Sequence, residues 1–337
     1  MDRRGICAAG NLIADIMHRI DRYPARGELT SIIGRREMTV GGLACNVSLS
    51  LAILDDQLPV FAAGRIGDDA EGRLILSRFA EHRNIDAGGV LIGGGETSYT
   101  LVLNDRHSGE RTFFTARGAG ARFDVDDVDL DRLPARIFHA GYILLLDSLD
   151  SGDPEYGTRM ARLLHDARGR GMRTSIDVVS ESGDRFSRLV PPAMKYADYC
   201  IINEYEAQQV TGVPLRDASG QLLREGIPAA LQMIKDFGVS LWAVIHCPEG
   251  AFGLDEGNRF FSLPSLKLPP GYIKGTTGAG DAFCAGVLYG AHEDLPLTDA
   301  LRLGTASAAC SLGGPDCASA IKKAPEALAF YREMGGQ

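Results

Sequence analysis

The segment Lys274-Gly-Thr-Thr-Gly-Ala-Gly-Asp-Ala-Phe283 places a glycine-rich turn directly before a helical pattern that begins near Asp281. Backbone N–H groups of Gly278, Ala279 and Gly280 can converge at the start of such a helix, where the helix dipole also favours an anion. A carboxylate at the same point can take a proton from an attacking hydroxyl if it faces the reacting centre. The segment therefore favours a phosphoryl-transfer site; the alternative is a tight turn with Asp281 as a plain helix N-cap.

The segment is specific only over its full length. In a chain with 41 glycines, the bare fragment GxGD arises by chance in roughly one of every two or three sequences. The longer GTTGAGDAFCAG does not fit the Walker A pattern GxxxxGK[ST], and no GxGxxG follows a predicted strand. The P-loop and dinucleotide-binding interpretations therefore lose their main support.

Short β-rich apolar runs alternate along the chain with helical patterns. This alternation predicts an α/β fold whose mainly parallel sheet is covered on both faces. From residue 275 onward, small residues within helical patterns indicate closely packed helices. The predicted strands are residues 5–9, 60–63, 137–146, 173–178, 199–202 and 242–246, and the predicted helices are 44–54, 70–82, 156–168, 204–210, 281–291, 297–312 and 325–334.

Two segments do not follow this alternation of strands and helices. Residues 17–40 contain DRYPARGE followed by SIIGRREMTV, and residues 96–116 read as two alternating strands joined by a polar turn at 104–109. Alternating strands have one apolar and one polar face, so we expect an antiparallel flap attached to the parallel core. A pair of surface hairpins is the alternative.

Charge and cysteine content exclude several classes of partner. The net charge of −9 provides no basic field for nucleic acid or for an anionic membrane surface. The seven cysteines contain no CxxC pair, which is typical of reduced, buried thiols. Asn11 and Asp15 interrupt the first apolar run, and no window reaches 18 apolar residues, so neither a signal peptide nor a membrane span is predicted. We expect a cytoplasmic protein.

The segment TTGAGDAFCAG resembles the carboxy-terminal signature of the ribokinase-like (PfkB) family of carbohydrate and nucleoside kinases. Four other segments match the family in order: GNLIAD with Asp15, GGLACN from Gly41 to Asn46, GRIGDDAEG at 64–72, and Asn203-Glu-Tyr-Glu206. The resemblance spans nearly the whole chain. It implies a ribokinase-like three-layer α/β/α fold with a small β-strand lid. We therefore expect residues 1–337 to form a single kinase domain, with lid segments at about 16–40 and 96–118 that often form a dimer contact in this family.

The resemblance also implies the site. Asp281 resembles the family's catalytic base, and Gly278, Ala279 and Gly280 its anion hole. The other implied groups are Asp15, Gly41, Gly42 and Asn46 for the substrate, Asn203, Glu206, Gly250 and Thr277 for the nucleotide, and Glu206 for Mg2+, acting through water.

Two further arginines come from the residues themselves rather than from the resemblance. Arg111 and Arg117 lie on the second flap segment, where a guanidinium can hold a substrate phosphate or carboxylate, or can remain solvated.

Three departures from the family pattern limit what is implied. Gly275 replaces the acidic residue that heads the signature, so the resemblance does not support an activating monovalent cation. The nucleotide loop reads Ile245-His-Cys-Pro-Glu-Gly250 and keeps only the last glycine of the usual T-L-G-x-x-G. Asp177-Val-Val-Ser180 lacks the D-P-N of many fructokinase-like members, which weakens any ketose assignment.

The leading hypothesis is a kinase that moves the γ-phosphoryl group of Mg-ATP to a hydroxyl of a sugar or sugar-like substrate. A nucleoside kinase on the same fold is the first alternative, with Tyr99, Phe113 or Phe114 stacking on the base. A catalytically silent sugar-sensing protein is the second. The sequence leaves open which sugar is used, which hydroxyl accepts the phosphate and whether the substrate is already phosphorylated.

Overall fold

The computed structural model of the chain describes residues 3–336. Its strands are β1 (Ile6–Gly10), β2 (Ile13–Ile20), β3 (Ile32–Gly41), β4 (Val60–Ile66), β5 (Ile85–Ile92), β6 (Ser98–Asp105), β7 (Arg111–Ala116), β8 (Ile137–Ile143), β9 (Gly152–Asp153), β10 (Gly157–Thr158), β11 (Arg173–Val178), β12 (Tyr199–Asn203), β13 (Trp242–Cys247), β14 (Gly250–Leu254) and β15 (Phe260–Pro264). Its α-helices are α1 (Leu43–Leu54), α2 (Ala70–Ala80), α3 (Arg159–Gly169), α4 (Phe186–Met194), α5 (Glu204–Thr211), α6 (Ile227–Asp236), α7 (Ala279–His292), α8 (Leu297–Ser311) and α9 (Ala324–Glu333).

The central sheet has nine strands in the order β15-β14-β13-β12-β11-β8-β1-β4-β5. Every pair from β13 to β5 is parallel, whereas β14 and β15 add an antiparallel hairpin at one edge. The predicted mainly parallel sheet is thus confirmed. Because parallel strands end at the same edge, the carboxyl ends of β1, β8, β11, β12 and β13 lie together.

Both faces of this sheet are buried, as the near-continuous apolar runs of its strands predict. In β1, Cys7 and Ala9 pack into one core with α3, α4 and α6, whereas Ile6 and Ala8 pack into another with α1, α7, α8 and α9. The alternation of side chains along a strand explains this division. The result is the expected three-layer α/β/α arrangement.

The small residues of the signature helix allow close packing of α7 against α8, as predicted. A Cβ on Gly286 would lie 2.6 Å from the carbonyl oxygen of Leu303, and one on Gly290 would lie 2.7 Å from the Cβ of Ala300. Larger residues at these two positions would push the helices apart. The packing fixes α7, and with it the glycine-rich turn that precedes the helix.

The two irregular segments form a separate four-stranded sheet in the order β3-β2-β6-β7. The hairpins β2-β3 and β6-β7 are antiparallel, but β2 and β6 pair in parallel. The prediction of a purely antiparallel flap is therefore wrong in its central pairing. The chain returns through α1, β4, α2 and β5 between the two hairpins, and a connection of this length lets β6 run in the same direction as β2.

None of the helices within residues 3–336 has both the length and the hydropathy needed to span a membrane.

Candidate active site

The glycine-rich turn begins helix α7 in the way that the sequence suggests. Gly278 is the N-cap, with a positive φ of 78°, and a Cβ there would lie 2.4 Å from the Cβ of Cys317. Both facts require glycine. Among residues 3–336, no acceptor pairs with the backbone N–H of Gly280 or Asp281, whereas that of Ala279 contacts the Thr276 carbonyl at 3.4 Å. Two free N–H groups therefore remain at this helix start for an anion.

Asp281 is held between two hydrogen-bond donors and is only 4% exposed. Its Oδ2 accepts from Asn46 Nδ2 at 2.7 Å, and its Oδ1 accepts from the Tyr142 hydroxyl at 2.5 Å. Burial raises the pKa of Asp281, and these two hydrogen bonds oppose that rise. Asn46 Oδ1 is buried and has no partner among the described residues, so it can accept from a ligand.

Asp15 lies near Asp281, on the second sheet. Burial first, and then the charge of Asp281, raise the pKa of Asp15 to about 6. Gly41 makes room for it, because a Cβ on Gly41 would lie 2.3 Å from Asp15 Oδ2. Gly42, the N-cap of α1, has φ 80°, and a Cβ there would lie 2.6 Å from the Asn11 carbonyl oxygen. The fold thus brings Gly41, Gly42 and Asp15, which the resemblance implies for the substrate, close together.

Asn203 and Glu206 form a capping box at the start of α5. Glu206 Oε1 accepts from Ser180 Oγ and Asn203 Nδ2, both at 2.8 Å, and Oε2 accepts from the Asn203 N–H at 2.9 Å. Glu206 is 4% exposed, so this is not a solvated helix start. Burial, reinforced by the charge of Asp281, raises the pKa of Glu206 to about 7.

Asp177 completes a group of three buried carboxyls at the carboxyl edge of the sheet. Burial raises the pKa of Asp177, and the charges of Glu206 and Asp281 raise it further. No lysine or arginine hydrogen-bonds or forms an ion pair with these three groups within residues 3–336. A cluster of oxygen donors that lacks a cationic partner suits a hard divalent cation.

The two arginines of the second flap segment differ in their surroundings. Arg111 Nη1 donates to Thr277 Oγ1 at 3.1 Å, which joins the second sheet to the signature turn. Arg117 instead forms an ion pair with Asp147 and lies 3.9 Å from Glu181 Oε2. The charge of Arg117 is therefore matched by protein acids, whereas that of Arg111 faces no acid within ion-pair distance in the described chain.

A narrow cleft separates the second sheet from the signature turn. One wall carries Asp15, Thr39, Arg111 and Phe113, and the other carries Thr277 and Cys317. The cleft residues contributed by the second sheet lie on one face of that sheet. Asp15 pairs with Thr39 on one side and Thr100 on the other. Two residues further along, Met17 pairs with Val102, and Val102 pairs with Phe113.

The structure gives Gly250 and Gly275 local packing roles. A Cβ on Gly250 would lie 2.4 Å from the Leu263 carbonyl oxygen of the adjoining strand. A Cβ on Gly275 would lie 3.1 Å from the carbonyl oxygens of Gly314 and Pro315. Gly275 brings no carboxylate to those carbonyls.

Sequence reasoning missed Tyr142 as part of the site. The pattern 137–146 reads as one continuous strand, in which Tyr142 would be an interior residue. In the structure β8 ends at Ile143, so Tyr142 lies at the carboxyl edge beside Asp281. Its position directly before the edge of a parallel strand was the available signal.

The sequence profile of the "pfkB family carbohydrate kinase" matches residues 4–324. The chain belongs to the PfkB family. An ATP-dependent ribose-1-phosphate kinase of Halopiger xanaduensis is 26% identical over 319 residues, 94% of each chain. The ribokinase of Bacillus subtilis is 26% identical over 326 residues, 92% of this chain and 94% of its own.

Solved structures share the fold of this PfkB kinase. Arabidopsis thaliana ribokinase complexed with ribose and ATP superposes with a TM-score of 0.81 at 20% identity, covering 99% of this chain and 100% of that one. A nucleoside kinase of Methanocaldococcus jannaschii gives 0.74 at 14% identity, covering 99% and 100%. The predicted ribokinase-like fold and enzyme class are confirmed: the chain is a carbohydrate kinase of the ATP-dependent sugar and nucleoside kinase group.

Proposed function

We propose that the chain transfers the γ-phosphoryl group of ATP to a sugar hydroxyl, with Asp281 as the catalytic base. The observation that carries this proposal is the placement of a buried carboxylate between two neutral donors, directly beside the free N–H groups of Gly280 and Asp281. Asp281 takes the proton of the attacking hydroxyl as the new O–P bond forms. The helix N–H groups stabilise charge on the transferred phosphoryl group while ADP leaves.

The sugar lies in the cleft between the second sheet and the signature turn. The Asp15 carboxylate accepts from sugar hydroxyls, and the unpartnered Asn46 Oδ1 accepts from another. Gly41 serves the sugar indirectly, because it makes room for the Asp15 carboxylate, and Gly42 lets the sugar approach the backbone. Phe113 also lines the cleft and is 55% exposed, which keeps a nucleoside as the second candidate because its base could stack there.

Mg2+ fits the buried carboxyls. Glu206 would hold it through water, since both its oxygens already accept from Asn203 or Ser180, and Asp177 offers a further oxygen nearby. When bound, the ion neutralises phosphate charge. In this proposal Asn203, Thr277 and the turn ending at Gly250 are assigned to the nucleotide, as the resemblance implies.

The second sheet acts as a lid in this proposal, within a single kinase domain. Arg111 already contacts Thr277 across the narrow cleft, so the sheet must open to admit the sugar. When the sheet closes again, the guanidinium returns to the signature turn, where it contacts the phosphoryl group or an anionic group of the substrate. Arg117, which was also predicted to bind substrate, instead pairs with Asp147, and this ion pair makes it a support for the closed sheet.

The outer face of the lid favours a homodimer. Ile16, Met38, Leu101 and Phe114 form one cross-strand row opposite the Asp15 face, and Phe114 is 51% exposed. A second copy of the chain would cover this row. Sedimentation at several concentrations tests it: we expect a dimer that Leu101→Asp dissociates, and a wild-type monomer at all concentrations contradicts it.

Asp281→Asn tests the base. We expect ADP release to fall by about 10²- to 10⁴-fold, while ATP binding, measured by calorimetry, stays within a few-fold of wild type. Asp236→Asn, an exposed residue at the end of α6, is the matched control. Turnover of Asp281→Asn near the wild-type rate would rule out the base assignment. The same assay across sugars, sugar phosphates and nucleosides identifies the substrate class.

A further inference from the structure

Two elements outside α7 hold the Asp281 carboxylate. Asn46 comes from the first turns of α1, and Tyr142 from the end of β8 in the middle of the sheet. Tyr142 is itself fixed, because its backbone N–H donates to Asn11 Oδ1 at 2.7 Å. Each carboxylate oxygen therefore has one donor from a rigid neighbour, which sets the plane of the carboxylate.

Within residues 3–336, the ionisable side chains whose charges act on Asp281 or on which Asp281 acts are acidic. The carboxyls among them are Asp15 on β2, Asp177 on β11 and Glu206 at the start of α5. His246 on β13 lies beside Gly280, and burial lowers its pKa to about 4, which keeps its ring neutral. The nearby thiols of Cys45, Cys284 and Cys317 have raised pKa values and are neutral as well. Among the described residues, the side chains that hydrogen-bond to the Asp281 carboxylate are therefore the neutral donors Asn46 and Tyr142.

We propose that Tyr142 is a positioning residue for phosphoryl transfer, whose hydroxyl keeps Asp281 ionised and oriented toward the attacking substrate hydroxyl. The inference rests on the proposed role of Asp281 as base. Asn46 is also expected to bind substrate through its free Oδ1, whereas the Tyr142 ring packs against the core and, among the described residues, its hydroxyl hydrogen-bonds only to Asp281. Tyr142 therefore acts on the base alone.

The Tyr142 phenol is suited to this role because it stays protonated. Burial and the charges of Asp281, Asp177 and Glu206 raise the pKa of Tyr142 well above its ordinary value. It remains a donor throughout the working pH range, and its 2.5 Å contact is typical of an O–H bonded to a carboxylate.

Tyr142→Phe removes the hydroxyl and keeps the ring. Loss of a hydrogen bond to a charged group should move the acid limb of the kcat profile, measured at saturating sugar and Mg-ATP, to higher pH by about one to two units. Saturation is needed because Asp15 and Glu206, whose pKa values are raised to about 6 and about 7, also contribute to the acid limb of kcat/KM in the free enzyme. Well above that limb, kcat should recover to within a few-fold of wild type, and sugar KM should change little. Tyr289→Phe is the control, because Tyr289 bonds Asp55 from a position about 12 Å further along α7.

A loss of activity equal at all pH values, or an unshifted limb, would overturn the proposal. If Tyr142→Phe does not fold, site-specific fluorotyrosine at position 142 replaces it: the more acidic phenol donates more strongly, so the limb should move to lower pH. No movement there also overturns it. Asp281→Asn distinguishes a failure of the proposed function from a failure of this inference. If Asp281→Asn is active, Asp281 is not the catalytic base. If Asp281→Asn is inactive and the acid limb of Tyr142→Phe is not shifted, only the proposed role of Tyr142 is wrong.

Discussion

Gly41→Ala offers a direct test of how Asp15 meets the substrate. Gly41 has no positive φ, so alanine introduces no backbone strain there. Its Cβ would instead lie 2.3 Å from Asp15 Oδ2 and 2.8 Å from Asp15 Cγ. Because both atoms belong to the end of a side chain, the carboxylate can swing away while the fold survives.

The size of the effect follows from this geometry. Real Cβ contacts below 3.0 Å are essentially absent, so the carboxylate oxygen must retreat by at least about 0.7 Å. A hydrogen bond to a charged group contributes about 1.5–3 kcal/mol. We therefore expect the sugar KM to rise roughly tenfold to hundredfold, with kcat within a few-fold because the contact exists before and during transfer. The free energy of unfolding should change by less than about 1 kcal/mol.

Steady-state ADP release gives the two constants, and urea unfolding gives the stability. Gly169→Ala is the control, because no heavy atom lies within 4 Å of a Cβ built there. The decisive measurement is the same substitution in an Asp15→Ala background, where the clash no longer exists and Gly41→Ala should have no further effect on KM. An unchanged KM in the single variant, or an effect that persists without the Asp15 carboxylate, refutes the reasoning.

Two further predictions concern the arginine and the buried acid. Arg111→Ala should lower kcat/KM by about tenfold or more through loss of a charged contact, whereas Arg35→Ala, an exposed arginine on β3, should not; equal effects of the two would remove Arg111 from the site. Glu206 has its pKa raised to about 7, so between its ordinary value and 7 the folded chain holds a proton that the unfolded chain releases. The free energy of unfolding should therefore fall as pH rises through that window, by up to about 3 kcal/mol, and Glu206→Gln should flatten the slope in urea titrations. A stability that rises over the same window would contradict this pKa.

Much of the fold was predictable because its signals are local. The predicted strand 173–178 coincides with β11. The predicted helices 44–54 and 297–312 differ from α1 and α8 by one residue at one end. The hairpin β14-β15, strand β5 and helices α4 and α6 were not predicted. Glycines interrupt β5 and β14, and Pro191 and Pro192 lie within α4, so packing rather than local pattern stabilises these three elements. Helix α6 did carry a local signal, because it has a proline in its first turn and an apolar stripe at Ile227, Ala230, Leu231 and Ile234.

The sequence by itself determined the family and the motif residues, because the glycine-rich turn, the helix it begins and the Asn203-Glu206 box depend on residues next to each other in the chain. Only the tertiary structure decided how these parts meet. The Tyr142–Asp281 bond joins residues 139 positions apart, and Arg111 reaches Thr277 across 166. The parallel pairing of β2 with β6 and the three-carboxyl cluster are likewise contacts between distant segments. Such contacts produce no periodic pattern in the sequence near either residue, because they are determined by the order of strands in the sheets and by the packing of α7 against the central sheet.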